Sequence, residues 1–143
     1  MNKIEDMFAS SEKIYEVKMS PIPQANLVAY CKLFKLSIDK YFYRPSVDKY
    51  FIPGLYVLDM FRETIEKLHG ADESFPISQV DGIDPGCTST LENRIFVNDE
   101  LNFQTQIRCI SKDSHKIKIV CRIQIYRNTS IVFAGMFNFY QNK

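Results

Sequence analysis

Pro53-Gly54-Leu55-Tyr56-Val57-Leu58-Asp59-Met60-Phe61-Arg62-Glu63-Thr64-Ile65-Glu66-Lys67-Leu68-His69-Gly70 is the stretch on which the architecture turns. Leu58, Phe61, Ile65 and Leu68 recur at spacings of three and four, which places them on one stripe of an α-helix. Asp59, Arg62, Glu63, Glu66 and Lys67 fall on the other side, with Glu63 and Lys67 at the i,i+4 spacing of a stabilising pair. Pro53 and Gly54 suit a first turn, where backbone N–H groups have no intrahelical partner, and Gly70 is a stop signal. The spacing therefore predicts a helix over about 54–68.

Downstream of the helix the period changes to two. Leu101, Phe103, Thr105, Ile107 and Cys109 alternate with polar residues. Ile117, Ile119, Cys121, Ile123 and Ile125 do so again, and Ile131, Phe133, Phe137 and Phe139 carry the pattern to the C-terminus. Lys112-Asp113-Ser114-His115 and Arg127-Asn128-Thr129-Ser130 are turn signals between them. An antiparallel meander with one buried face follows, with Cys109 and Cys121 in its core. Upstream, residues 14–19 read as a strand halted by Ser20-Pro21-Ile22-Pro23. Residues 27–38 read as a longer strand with a bulge near Lys32 and Lys35, and residues 39–53 as an irregular aromatic and charged stretch. Gly82-Ile83-Asp84-Pro85-Gly86 reads as a turn between strands near 76–82 and 88–97, after a polar linker at 70–75. A lone amphipathic helix must cover one face of a sheet. The expected class is α+β: a curved antiparallel sheet of five or six strands wrapped around one central helix, in a single domain over residues 1–143.

Composition narrows the function. The 143 residues are 45% hydrophobic and 24% charged, the proportions of a folded domain. Lys and Arg number 18 against 17 acids, a net charge of +1 with no basic block, which argues against a nucleic-acid surface. No apolar run reaches the ~20 residues of a membrane helix, and neither nucleic acid nor a membrane is expected among the partners. Met1-Asn2-Lys3-Ile4-Glu5-Asp6 lacks the apolar core of a signal peptide. Cys31, Cys87, Cys109 and Cys121 form no C-x-x-C pair, so reduced thiols, no metal, no cofactor and a cytoplasmic location are expected.

The segment Ile52-Pro53-Gly54-Leu55-Tyr56-Val57-Leu58-Asp59-Met60-Phe61-Arg62-Glu63 resembles the start of the central helix in 3-hydroxyacyl-[acyl-carrier-protein] dehydratases, members of the hot-dog fold superfamily. Those run Pro-Gly, four mostly apolar residues, then Glu or Asp, a register in which Asp59 stands. The segment is also similar to the hot-dog domain of A-factor biosynthesis proteins, where Arg62 falls on an Arg and Glu63 on a Gln. Val97-Asn98-Asp99-Glu100-Leu101 resembles the dehydratase Pro-Gly-Asp-x-Leu turn, with Asn98 replacing the Gly. The resemblance implies a homodimer with an extended sheet, an acyl-thioester tunnel at the interface, and a substrate on acyl carrier protein or coenzyme A. In that family the Gly amide receives the thioester carbonyl, the carboxylate holds water or the departing hydroxyl, and a His eight residues before the Pro removes the α-proton.

Here that position is Pro45, between Arg44 and Ser46. The hydratase pattern Asp-x-Asn-Pro-x-His fails because Arg44 stands five after Asp39, and the Asn-Gly-His loop of thioesterases is absent. His69 lies ten residues beyond Asp59, about 15 Å along a helix, and His115 lies in a turn. The resemblance thus offers Asp59 and Gly54 as catalytic candidates, and Tyr43, Arg44, Tyr50, Leu55 and Arg62 as substrate-binding ones. Each has a plainer reading: a solvated Asp59–Arg62 pair, packing tyrosines, and Arg44 paired with Asp39 or Asp48 rather than with a phosphopantetheine phosphate. Cys87 has no base beside it in the sequence. Three functions stay open: a dehydratase-like protein that binds or processes acyl thioesters in fatty-acid, lipid or polyketide metabolism; an A-factor-type acyl transfer enzyme or thioesterase; and a non-catalytic partner of an active homologue.

Overall fold

The structure is a computed structural model that describes residues 5–7, 13–90 and 95–143. In chain order the elements are β1 (Glu5–Met7), β2 (Tyr15–Lys18), α1 (Gln24–Leu33), α2 (Ile38–Phe42), β3 (Tyr43–Arg44), β4 (Lys49–Tyr50), α3 (Gly54–Ala71), β5 (Gly82–Thr90), β6 (Asn102–Lys112), β7 (Lys116–Arg127) and β8 (Ser130–Asn142). The three long strands form the expected meander. Asp113 closes the first turn by accepting from the amides of His115 and Lys116, and Asn128 takes a left-handed φ of 56° in the second. The six-stranded antiparallel sheet has the order β1-β6-β7-β8-β5, with β2 sharing the β6 edge with β1.

Two irregularities adjust which side chains reach the core. Between Ile107 and Cys109 the β6–β7 register shifts, so that Ile110 packs against the core. Cys109, expected inside, is consequently only half-buried opposite Val120, whereas Cys121 is fully buried. A second shift beside Ile125 lets both Val132 and Phe133 be buried.

Helix α3 packs its apolar stripe on this sheet. Val57, Met60, Phe61, Ile65 and Leu68 are buried, and Leu58, expected on the stripe, is half-buried at its flank. The Phe61 ring lies 5.9 Å from Phe103 and 5.2 Å from both Phe133 and Phe137, centroid to centroid. Thr64, buried among them, satisfies its hydroxyl by donating to the Met60 carbonyl at 2.6 Å. The helix does not stop at Gly70. It continues to Ala71 and closes at Asp72, whose amide donates to the Leu68 carbonyl.

Residues 27–38, expected as a strand, are α1 and its exit. Leu27 and Cys31, one turn apart, bury against Phe42 in a second small cluster. The end of α1 carries the paired hydrogen bonds of a Schellman closure, Leu36 N–H to the Cys31 carbonyl and Lys35 N–H to that of Lys32. Lys35 holds the left-handed position, φ 55°, that glycine usually takes. Residues 82–86, expected as a turn, run as strand within β5. The β5–β8 register shifts between Pro85 and Ser89. β5 is the last strand of the sheet on its side, and an edge strand with a register shift can hold a proline that donates no ladder hydrogen bond. Of the strand expected over 88–97, residues 91–94 lie outside the described residues.

Candidate functional site

The start of α3 is fixed by the segment before it. Phe51 N–H donates to the Phe42 carbonyl, Ile52 N–H to Ile95, and Val97 N–H to Tyr50, so residues 50–52 lie stitched beside residues 95–97. Pro53, buried and extended (φ −60°, ψ 147°), then turns the chain into the helix, and its carbonyl accepts from the amides of Tyr56 and Val57. No side chain caps this end. A helix start of this kind directs unpaired N–H groups and the positive end of the helix dipole outward.

The aromatic stretch before it, expected to be irregular, is ordered. Ser37 caps α2 by accepting from Lys40 N–H, and α2 leads directly into the β3–β4 hairpin. Tyr43 and Tyr50 pair across that hairpin with ring centroids 5.1 Å apart. Tyr43 donates its hydroxyl to Asp48, and Tyr50 donates to Asp39 at 2.5 Å. These carboxylates raise the pKa of both phenols above the ordinary tyrosine value, with desolvation and the remaining negative charges adding smaller contributions. Both tyrosines are therefore protonated donors at neutral pH and not bases. The Tyr50–Asp39 pair bridges eleven residues and had no sequence signal; Tyr43–Asp48, five apart across a turn, is the kind of pair a hairpin reading would have suggested. Tyr56, another residue the sequence did not single out, reaches back from the first turn of α3 to Tyr30 of α1, 6.1 Å between ring centroids.

The seven sequence candidates do not converge on one point. Tyr43, Arg44 and Tyr50 sit on the hairpin; Arg44 is exposed opposite Lys49. Gly54 opens α3, with Leu55 next, whose side chain lies outside the described residues. Asp59 is exposed about 7.5 Å further along the axis, and neither it nor Arg62 has a side-chain partner among the described residues. The solvated Asp59–Arg62 pair is thus not formed. Arg62 instead lines an open groove of about 630 Å³ with Glu66 and residues 78–81, where Glu66 accepts from Val80 N–H at 2.8 Å. Position 45, where a histidine would stand, is in the hairpin turn. His69 is held at the far end of α3 by a 2.7 Å bond between Nδ1 and the Phe75 carbonyl oxygen, and His115 sits in the β6–β7 turn. Burial pushes the Cys121 thiol up to about 12, so it is no nucleophile; the Cys87 side chain lies outside the described residues.

Behind the start of α3, the turn at Asn98 has φ 64°, the geometry expected where Asn replaces Gly. Asp99 locks that turn, accepting at 2.7 Å from both Phe96 N–H and the Arg127 guanidinium. A cleft of about 370 Å³ lies elsewhere, between Lys18–Pro21, Lys67, Glu100–Asn102 and Asn128. It contains no candidate residue, and the Lys67 ammonium in it donates to the Lys18 carbonyl.

No protein-family model matches the chain, and no curated protein matches it. Solved structures do. The truncated HadBC complex of Mycobacterium tuberculosis, a (3R)-hydroxyacyl-ACP dehydratase, is similar with TM-score 0.61 and 12% identity, covering 90% of this chain and 95% of that one. A MaoC-like dehydratase from Rhodospirillum rubrum has TM-score 0.58 and 12% identity, covering 96% and 97%. The (R)-hydratase from A. caviae involved in PHA biosynthesis has TM-score 0.54 and 12% identity, covering 93% and 96%. At such identities the likeness is one of fold: an antiparallel sheet packed on one long helix, which makes this chain a member of the hot-dog fold.

Proposed function

We propose that the chain binds an acyl thioester, on acyl carrier protein or coenzyme A, with the thioester carbonyl at the start of α3. The observation that carries this reading is the Pro53-Gly54 turn, held in place by the 50–52 and 95–97 segments on a fold shared with acyl-thioester dehydratases and a hydratase. Gly54 has no side chain to obstruct a carbonyl approaching its amide, and that amide would stabilise negative charge developing on the oxygen. Asp59, exposed on the same helix and without a side-chain partner among the described residues, is placed to hold a water or hydroxyl. Tyr43 and Tyr50 supply apolar rings and protonated hydroxyls on the hairpin that precedes the helix.

The chemistry of proton removal is where the chain departs from a dehydratase. One histidine is bonded to a backbone carbonyl at the far end of α3, the other stands in a distant turn, and the two nearby phenols are held protonated. Loss of a positioned base costs ~10²–10⁴-fold in rate. The reading is therefore an acyl-thioester binder with slow or absent dehydration. A second reading, a non-catalytic subunit beside an active homologue, draws support from the similar dehydratase being itself a complex.

Calorimetry with 3-hydroxybutyryl and 3-hydroxydecanoyl thioesters, with dehydration assayed in parallel, tests both. Binding with little turnover is expected, weakened by Gly54→Val. Brisk turnover abolished by Asp59→Asn would show a base other than histidine. No binding by the folded protein would overturn the acyl reading and leave the subunit role.

A further inference from the structure

Helix α1 is apolar on two opposite sides. Leu27 and Cys31 face the small cluster with Phe42, yet Ala25, Ala29 and Leu33, also spaced four apart, are all exposed. At its end and beyond, the pattern continues: Leu33 is 76% exposed, Phe34 56%, Tyr41 50% and Val47 47%. These are four of the five large hydrophobic side chains exposed among the described residues, and they fall within residues 33–47. They stand at a helix end, on the short α2 and in a hairpin turn.

The same segment is basic. Lys32, Lys35, Lys40, Arg44 and Lys49 are all exposed. Only Asp39 and Asp48 oppose them, and each accepts a tyrosine hydroxyl. Residues 24–50 thus carry +3 in a chain whose total is +1.

We propose that the segment of residues 32–47 docks on an anionic phospholipid surface, with Leu33 and Phe34 entering the boundary between headgroups and acyl chains and the neighbouring Lys32 and Lys35 meeting lipid phosphates. Protruding apolar side chains among cations suit a fluid, negatively charged interface, where hydrophobic insertion and electrostatic attraction add. A second copy of the chain is disfavoured as occupant, because a symmetric contact would set +3 against +3. No helix among the described residues is long and apolar enough to cross a membrane. The expectation that a membrane is not a partner rested on the lack of a spanning segment, and surface docking needs none.

Co-sedimentation of the full chain with vesicles of phosphatidylcholine, and with vesicles in which about a third is phosphatidylglycerol, tests this. Binding to the anionic vesicles alone is expected, weakening as salt rises. Lys32→Gln with Lys35→Gln should weaken it by about fivefold per lysine removed. Leu33→Ser with Phe34→Ser should abolish sedimentation while both variants still melt cooperatively as folded proteins, the loss of the Phe34 ring from Tyr30 costing some stability. Failure to bind anionic vesicles, equal binding to neutral ones, or indifference to both variant pairs would overturn the proposal. So would an oligomer that Leu33→Ser with Phe34→Ser converts to monomer, since the face would then belong to a second copy.

Discussion

Asp72 shows how single side chains finish α3. Its carboxylate accepts from the Ser74 hydroxyl and amide and pairs with Lys13 at 3.0 Å, tying the helix end to the chain before β2. The Ser74 hydroxyl first, then Lys13, then the Ser74 amide hold its pKa down at about 2. A carboxyl whose folded pKa lies below its unfolded value stabilises the fold above that unfolded value, and the contribution is lost as pH falls through the folded one. Melting temperature should therefore fall as pH drops from about 4 towards 2, and Asp72→Asn should flatten that part of the profile while lowering stability at neutral pH. Gly70, two residues earlier, is helical with φ outside the left-handed region, and a Cβ there would meet nothing within 4 Å. Gly70→Ala should stabilise by about 0.5–1 kcal/mol in urea unfolding, since it restricts the unfolded chain at no steric cost.

At the scale of elements, Phe61 packs α3 onto the sheet through its ring. Its ring meets three aromatic rings of β6 and β8, so Phe61→Ala should cost about 3–5 kcal/mol through the cavity it leaves. Leu58, half-buried at the flank, should cost clearly less on truncation, and exposed Asp59→Ala under about 1 kcal/mol. Urea unfolding of the three variants would check this order, and a large loss at Asp59 would contradict its exposed placement. The stripe is legible in the sequence at Phe61, Ile65 and Leu68, and only its first member is displaced by one residue. Val57, not Leu58, occupies the buried position one turn before Phe61, because heptad-like spacing tolerates either until the opposing sheet is present.

For the molecule as a whole, the sheet ends at β5 among the described residues. An edge strand leaves a row of unpaired backbone groups, and a second copy can cover them. We expect a symmetric dimer, with light scattering giving about twice 16.7 kDa. A mass near 16.7 kDa at micromolar concentration would remove the subunit interface from the proposed acyl site.

The amino-acid sequence by itself determined the meander, the long helix and the Asn98 turn. The first two are encoded locally, in a period of two with one buried face and a period near 3.6, and the turn is legible through its resemblance to a dehydratase motif. It also carried the register of Gly54 and Asp59 and the lack of a histidine before them. Tertiary structure alone decided α1, the course of β5 through residues 82–86 and the Tyr50–Asp39 pair. Residues 24–33 are apolar on two opposite sides of the helix, so their binary pattern names no period, and only packing of Leu27 and Cys31 against Phe42 selects helix over strand. Pro85 and Gly86 are turn residues by propensity, yet Pro85 pairs with Phe137 of β8 and Gly86 falls in the register shift that follows, within the strand. Tyr50 finds Asp39 across eleven residues only once α2 and the hairpin fold together. Local periodicity survives in one dimension, whereas pairing across an edge or a hairpin depends on which surfaces the rest of the chain leaves to be covered.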